Sequence, residues 1–185
     1  MTRKERVRRV ATLCCKFARY LAHYRAGWVD GHAVFKGQLW TSVNNACLDQ
    51  CVLGWCELFA DHRAKYHWRR IVGKPRRFAS ELLAEMQMSP DEFGAYCDTM
   101  RRYRDRVMLD REKIPHIPDL APADASVLLF YRQIREEYPL GQVLQGLPPD
   151  IKNYYRVSAE DAATTLYRQP PSSDMIPRGD EAHRG

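Results

Sequence analysis

Six apolar residues near the N-terminus, Val7, Val10, Cys14, Phe17, Leu21 and Tyr24, recur at alternating three- and four-residue steps. That spacing keeps them on one stripe of an α-helix, whereas a strand would scatter them over both faces. Arg6, Arg9, Lys16 and Arg19 fall off the stripe, so the pattern predicts an amphipathic helix over about 3–25. A helix of this length spans roughly 33 Å, the height of a bundle. Its stripe can face the chain's own core or form the seam of a dimer.

The rest of the chain reads in the same period. After a loop or broken helix punctuated by Gly27, Gly31 and Gly37, a second helix is predicted over about 38–59. Leu39, Val43, Cys47, Cys51, Gly54 and Leu58 line one side of it, and Trp40, Trp55 and Phe59 widen that side. Ser42, Asn45 and Asp49 leave only a narrow polar strip, which predicts a central helix buried around most of its girth. The segment LFADHRAKYHWRRIV is expected to continue into a short helix carrying Tyr66, Trp68 and Ile71. Lys74-Pro75 breaks the chain, and Phe78, Leu82, Leu83 and Met86 mark another short helix. Ser89-Pro90-Asp91-Glu92 then supplies an N-cap serine, a proline at the first helical position and a glutamate at the third, a capping box opening a helix to about residue 111. Pro115, Pro118 and Pro122 interrupt the chain before a last core helix over about 123–138.

Beyond Tyr138 the composition shifts, with six of the eleven prolines in the last 47 residues. A short helix over 158–167 and disorder from about 170 are expected there. The fold class that follows is all-α, a bundle of four or five helices over 1–138 with a proline-rich, partly disordered C-terminal extension over 139–185.

Charge and cysteines narrow the partners. The formal net charge is +6; residues 1–138 carry 24 Lys/Arg against 17 Asp/Glu, and the extension carries five against six. A basic body favours a polyanion. No stretch approaches the ~18 apolar residues of a membrane span, and MTRKERVRRV lacks an apolar signal core, so a cytoplasmic protein with no membrane partner is expected. In that setting Cys14, Cys15, Cys47, Cys51, Cys56 and Cys97 read as reduced, buried thiols. Cys47 and Cys51 lie one helical turn apart, but no second ligand pair joins them, so no metal site and no cofactor are predicted. G-x-S-x-G, GKS/GKT and G-x-G-x-x-G motifs are all missing, which removes the usual support for hydrolase and nucleotide-fold readings.

What stands out is Arg101, Arg102, Arg104 and Arg106, four arginines within six positions. On a helix Arg101 and Arg104 share one face and Arg102 and Arg106 another. An arginine pointing into a cleft can hold phosphate bidentately; on an outer face the same residues form Arg–Asp pairs, such as Asp98 with Arg102, for a few tenths of a kcal/mol.

The run CVLGWCELFADHRAKYHWRRIV, then F-x₃-L, then SPDEFGAYCDTMRRYRDRVMLD and the IPDL linker, about residues 39–138, resembles the HEPN superfamily, above all the members associated with bacterial abortive infection. The resemblance implies a helical bundle that dimerises and a metal-independent ribonuclease. Its motif is an arginine, a polar residue and, a few residues on, a histidine. Tyr103-Arg104-Asp105 matches the start: Arg104 would hold the scissile phosphate and Asp105 would orient Arg104. Positions 109, 110 and 111, where the histidine belongs, are Leu, Asp and Arg. His116 is the candidate substitute, and Arg101, Arg102, Arg106 and Arg111 are the candidate RNA contacts. The expectation is a HEPN-like protein of a prokaryotic defence or toxin–antitoxin system that binds or cleaves RNA, with catalysis rescued by His116 or lost. Its expected partners are a second copy, RNA, and an antitoxin or defence protein. The alternative is a non-catalytic homodimeric interaction module.

Overall fold

The computed structural model describes residues 1–34, 37–109, 116–139 and 142–167. The expected disorder from about 170 lies outside these residues, as does Arg111. The described chain is a helical bundle: α1 (Arg3–Ala26), α2 (Gln38–Trp55), α3 (Pro75–Met86), α4 (Pro90–Leu109), α5 (Ala121–Glu137) and α6 (Ile151–Tyr167). None of these helices is long and apolar enough to cross a membrane.

Helix α1 is closed at its start by a capping box in which the Thr2 hydroxyl accepts from Glu5 N and the Glu5 carboxylate accepts from Thr2 N. Its stripe is almost wholly buried, with Val7, Val10, Cys14 and Leu21 at 0% exposure. Helices α2, α5 and α6 pack around it, so this stripe is internal and is not a dimer seam. The capping box at α4 forms as expected, Ser89 N donating to Glu92 (2.7 Å) and Glu92 N to Ser89 Oγ (3.3 Å). Helix α6 is longer than the sequence suggested and lies along α1; Leu144 and Ile151 join the same core as α1 and α5. Residues 142–167 are thus packed onto the body.

Three expectations give way. The glycine-marked loop holds a small antiparallel ribbon, β1 (Trp28–Val29) with β2 (His32–Ala33). Asp30 and Gly31 turn it with φ of 50° and 76°, the positive pair a tight hairpin requires. The first half of α2 is rotated from the predicted face: Leu39 and Val43 are 71% and 43% exposed, while Asn44 is buried. The cause is a polar anchor, because Asn44 accepts from Trp28 Nε1 and donates to Tyr24 O, both at 2.9 Å. Finally, the short helix expected through Tyr66, Trp68 and Ile71 is cut down to one 3₁₀ turn that holds Trp68 alone of the three. The segment 61–70 runs through turns to this 3₁₀ turn at Trp68–Arg70.

A chain of aromatic rings holds that segment to the core. Trp55 stacks on Phe59, Phe59 meets Phe130, Phe130 meets Phe78, and Phe78 meets Trp68, each pair with ring centroids 5.2–5.6 Å apart. Trp55 also donates its indole N–H to Ser126 Oγ at 2.8 Å. All six cysteines are buried. Burial raises their thiols, Cys97 to about 11 and Cys56 to about 12, so they are packing groups at neutral pH.

Candidate nucleic-acid interface

The site begins with an irregularity at the end of α2. Residues Cys56–Ala60 widen into a π-helical turn, and Asp61 N donates to Cys56 O at 2.9 Å. Such wide turns are frequent at functional sites because they re-aim the chain. Here the turn brings the Ala60 carbonyl and the Asp61 carboxylate against α4.

Arg104 donates to Asp61 Oδ2 at 2.6 Å and to Asp105 Oδ1 at 2.9 Å. Its side chain is 24% exposed. Burial by itself would lower the Arg104 pKa, but the bonds to Asp61 and Asp105 outweigh that and raise it, so the guanidinium stays charged at any working pH. Arg101 shares the same carboxylate, with its Nε 3.8 Å from Asp61 Oδ1. It also donates to Asp98 Oδ1 at 2.7 Å and to the Ala60 carbonyl. Arg101 and Arg104 therefore do share a face, and that face is met by three aspartates. Arg102 lies outside, bonded to the Asp98 carbonyl and to Thr99 Oγ1 (both 3.3 Å), so Asp98 pairs by side chain with Arg101 and not with Arg102. Arg106 is exposed.

His116 is also exposed, its Nδ1 lying 2.8 Å from Ile117 O. Among the described residues no histidine is hydrogen-bonded to Arg104, Asp61 or Asp105. The structure thus joins Arg104, Asp105 and Arg101 and leaves His116 out of that network. Asp61 was not foreseen: it is 43 positions from Arg104, and nothing local marks it as a partner.

The neighbouring segment 61–70 behaves differently. Arg63, Lys65, Arg69 and Arg70 make no ion pair among the described residues. They share the segment with Tyr66 and Trp68, and the Arg69 guanidinium lies 5.1 Å from the Trp68 ring centroid. The signal was in the sequence, since four basic residues within eight positions are interleaved with Tyr66 and Trp68. His67 pins the segment inward. It is 1% exposed, its Nε2 donates to Phe59 O at 3.0 Å, and its Nδ1 accepts from Arg69 N at 3.3 Å. That bonding fits the neutral ring. Burial lowers its pKa to about 4, with the charges of Arg69 and Arg70 acting in the same direction.

Between this segment and helices α3 and α4 lies a groove of about 340 Å³. His62, Arg69 and Arg101 stand along it, with Trp68, Leu83 and Phe93 forming apolar wall. Among the described residues no three His, Cys, Asp or Glu side chains are grouped so as to hold a metal ion. Comparison with known proteins finds no family model, no curated protein and no solved structure that matches this chain.

Proposed function

We propose that the chain is a HEPN-like RNA-binding protein of a prokaryotic defence or toxin–antitoxin type, one that binds RNA without cleaving it. The observation that supports this reading is the fixing of Arg104. The residue after it, Asp105, holds its Nε, and Asp61 holds a terminal nitrogen, so the guanidinium is held by two carboxylates, one of them the polar residue that follows it. Among the described residues nothing titrating near neutral pH is bonded to that pair, so none of them is placed to transfer a proton to or from a 2′-hydroxyl there. The cations of 61–70 supply the attraction for phosphate. The test is incubation of purified protein with single-stranded RNA in EDTA, beside Arg104→Ala. Binding at low salt with intact RNA is expected from the wild type. Cleavage abolished by Arg104→Ala would show an active enzyme, and no binding at all would remove the RNA reading.

One observation favours the second reading, a homodimeric interaction module. Helix α2 carries a single charged residue, Asp49, and that carboxylate accepts from Tyr103 OH at 3.0 Å. Its first half still presents Leu39, Val43, Asn45 and Ala46 to solvent. A face without charge lets two copies of a +6 chain meet without like-charge repulsion, and interface cores are depleted of charge in this way. Light scattering on wild type and Leu39→Glu/Val43→Glu decides it: a dimer dissociated by the substitutions supports the module, and a monomer in both rejects it.

A further inference from the structure

Gly94 occupies the second turn of α4, a place where glycine weakens a helix relative to almost any other residue. Packing gives no reason for it, because a Cβ added at Gly94 would meet nothing within 4 Å. It nevertheless lines the groove between α4, α3 and the 61–70 segment. A side chain there would extend over open space bordering that groove. Glycine at this position keeps the groove clear at a cost to the helix, which is expected where something must enter.

The residues lining the groove indicate what enters. They include the Arg69 guanidinium, without an ion pair among the described residues, the exposed His62, and Arg101. Asp98 also lines it, and its carboxylate is taken up by Arg101 at 2.7 Å. The same lining includes the apolar side chains of Trp68, Leu83 and Phe93, so the 61–70 segment and α4 each bring both kinds of group. The volume of about 340 Å³ falls at the small end of ligand pockets, roughly 300–1,000 Å³. The aromatic relay from Trp55 to Trp68 fixes the floor, and the His67–Phe59 bond fixes the backbone that carries Arg69 and His62. A flat, anionic, partly apolar group suits this mixed lining.

We propose that this groove seats one nucleotide of single-stranded RNA, its phosphate against Arg69 and His62 and its base against Leu83 and Phe93, above the floor that Trp68 forms. This rests on the RNA-binding reading and adds to it the place where the strand is held. The groove, and not the Arg104 guanidinium, makes the first contact, because Arg104 already engages two carboxylates, Asp61 and Asp105, through a terminal nitrogen and Nε. Unstacked bases are the usual targets of such sites, so duplex RNA, whose bases are paired and stacked, is excluded by the same geometry.

The experiment is fluorescence anisotropy with a labelled ten-nucleotide single-stranded RNA at low salt, beside an RNA duplex and a polyphosphate of matched charge. It is run on wild type, Arg69→Gln, Gly94→Leu, and Arg156→Gln on α6 as control, with a thermal melt of each. Arg69→Gln and Gly94→Leu are each expected to weaken single-strand binding by at least about fivefold. Gly94→Leu should do so while melting no lower than wild type, so lost binding cannot be put down to lost folding. Polyphosphate binding should fall with Arg69→Gln and be untouched by Gly94→Leu, since only the base needs the cleared space. If wild type binds the single strand and both groove variants bind it equally well, the groove assignment is wrong and the RNA reading stands. If wild type binds no RNA, both are wrong. If polyphosphate or duplex binds as tightly as the single strand and Gly94→Leu has no effect, the surface is only an electrostatic one and the groove holds no base.

Discussion

Two basic segments meet at the end of α2, and they use their charge in opposite ways. On α4, Arg101 and Arg104 are turned toward the protein and answered by Asp61, Asp98 and Asp105. On 61–70, Arg63, Lys65, Arg69 and Arg70 follow one another over eight positions with no ion pair among the described residues. Arginine density in a sequence is therefore a poor guide to where a polyanion lands. A guanidinium already held by carboxylates has to give up those bonds before it can take a phosphate, whereas an unpaired cation gives up only water and counterions.

The largest effect expected from this difference is on RNA affinity. Substituting Arg63, Lys65, Arg69 and Arg70 together by Gln should weaken single-strand binding by on the order of a hundredfold. It should also flatten the salt dependence by about three units of slope, read from anisotropy titrations at several salt concentrations. Substituting Arg102 and Arg106 by Gln should cost several-fold at most. Equal losses in the two variants would erase the distinction between the segments.

Acid acts next. The buried, neutral His67 has a pKa near 4, below the ordinary value near 6.5, so the unfolded chain takes up this proton first as pH falls. Its contribution to stability is complete above pH ~6.5, is lost progressively toward pH ~4, and amounts to at most about 3 kcal/mol. Urea unfolding across that range should show the loss, and His67→Gln should show a shallower one. A wild-type stability flat between pH 7 and 4.5 would mean that His67 does not hold the segment.

Asp61→Asn should destabilise the fold by about 1–2 kcal/mol, since it leaves two partly buried guanidinium groups short of a carboxylate. The same change should tighten RNA binding modestly by freeing Arg104 and Arg101. Weaker binding by a folded Asp61→Asn would place Asp61 itself in the RNA contact. The smallest effect belongs to Gly94→Ala, expected to raise stability by about 0.5–1 kcal/mol in the same unfolding experiment, because the helix gains and nothing clashes.

How much of this was legible beforehand follows from the range over which each interaction acts. The α1 stripe and the Ser89 capping box are local patterns, and both formed where the spacing put them. The face of α2 was misjudged because one buried amide, Asn44, bonded to Tyr24 and Trp28 across the hairpin, outweighs the periodicity of Leu39 and Val43. The 61–70 segment follows a helix without an intervening Pro or Gly, yet its ordering comes from turn bonds such as Ala64 N to Asp61 O (2.7 Å) and from His67 reaching Phe59. The orientation of Arg104 by Asp105 could be expected between adjacent residues. Its second partner, Asp61, could not, because that contact exists only after the π turn brings Asp61 against α4.

Photocrosslinking of a 4-thiouridine-substituted single strand to the wild-type protein, followed by mapping of the modified peptide, tests the central claim most directly. Adducts within residues 62–70 or on Phe93 are predicted, lost when Gly94 is replaced by Leu. Adducts confined to the outer face of α4 near Arg102 and Arg106, persisting in Gly94→Leu, would contradict it.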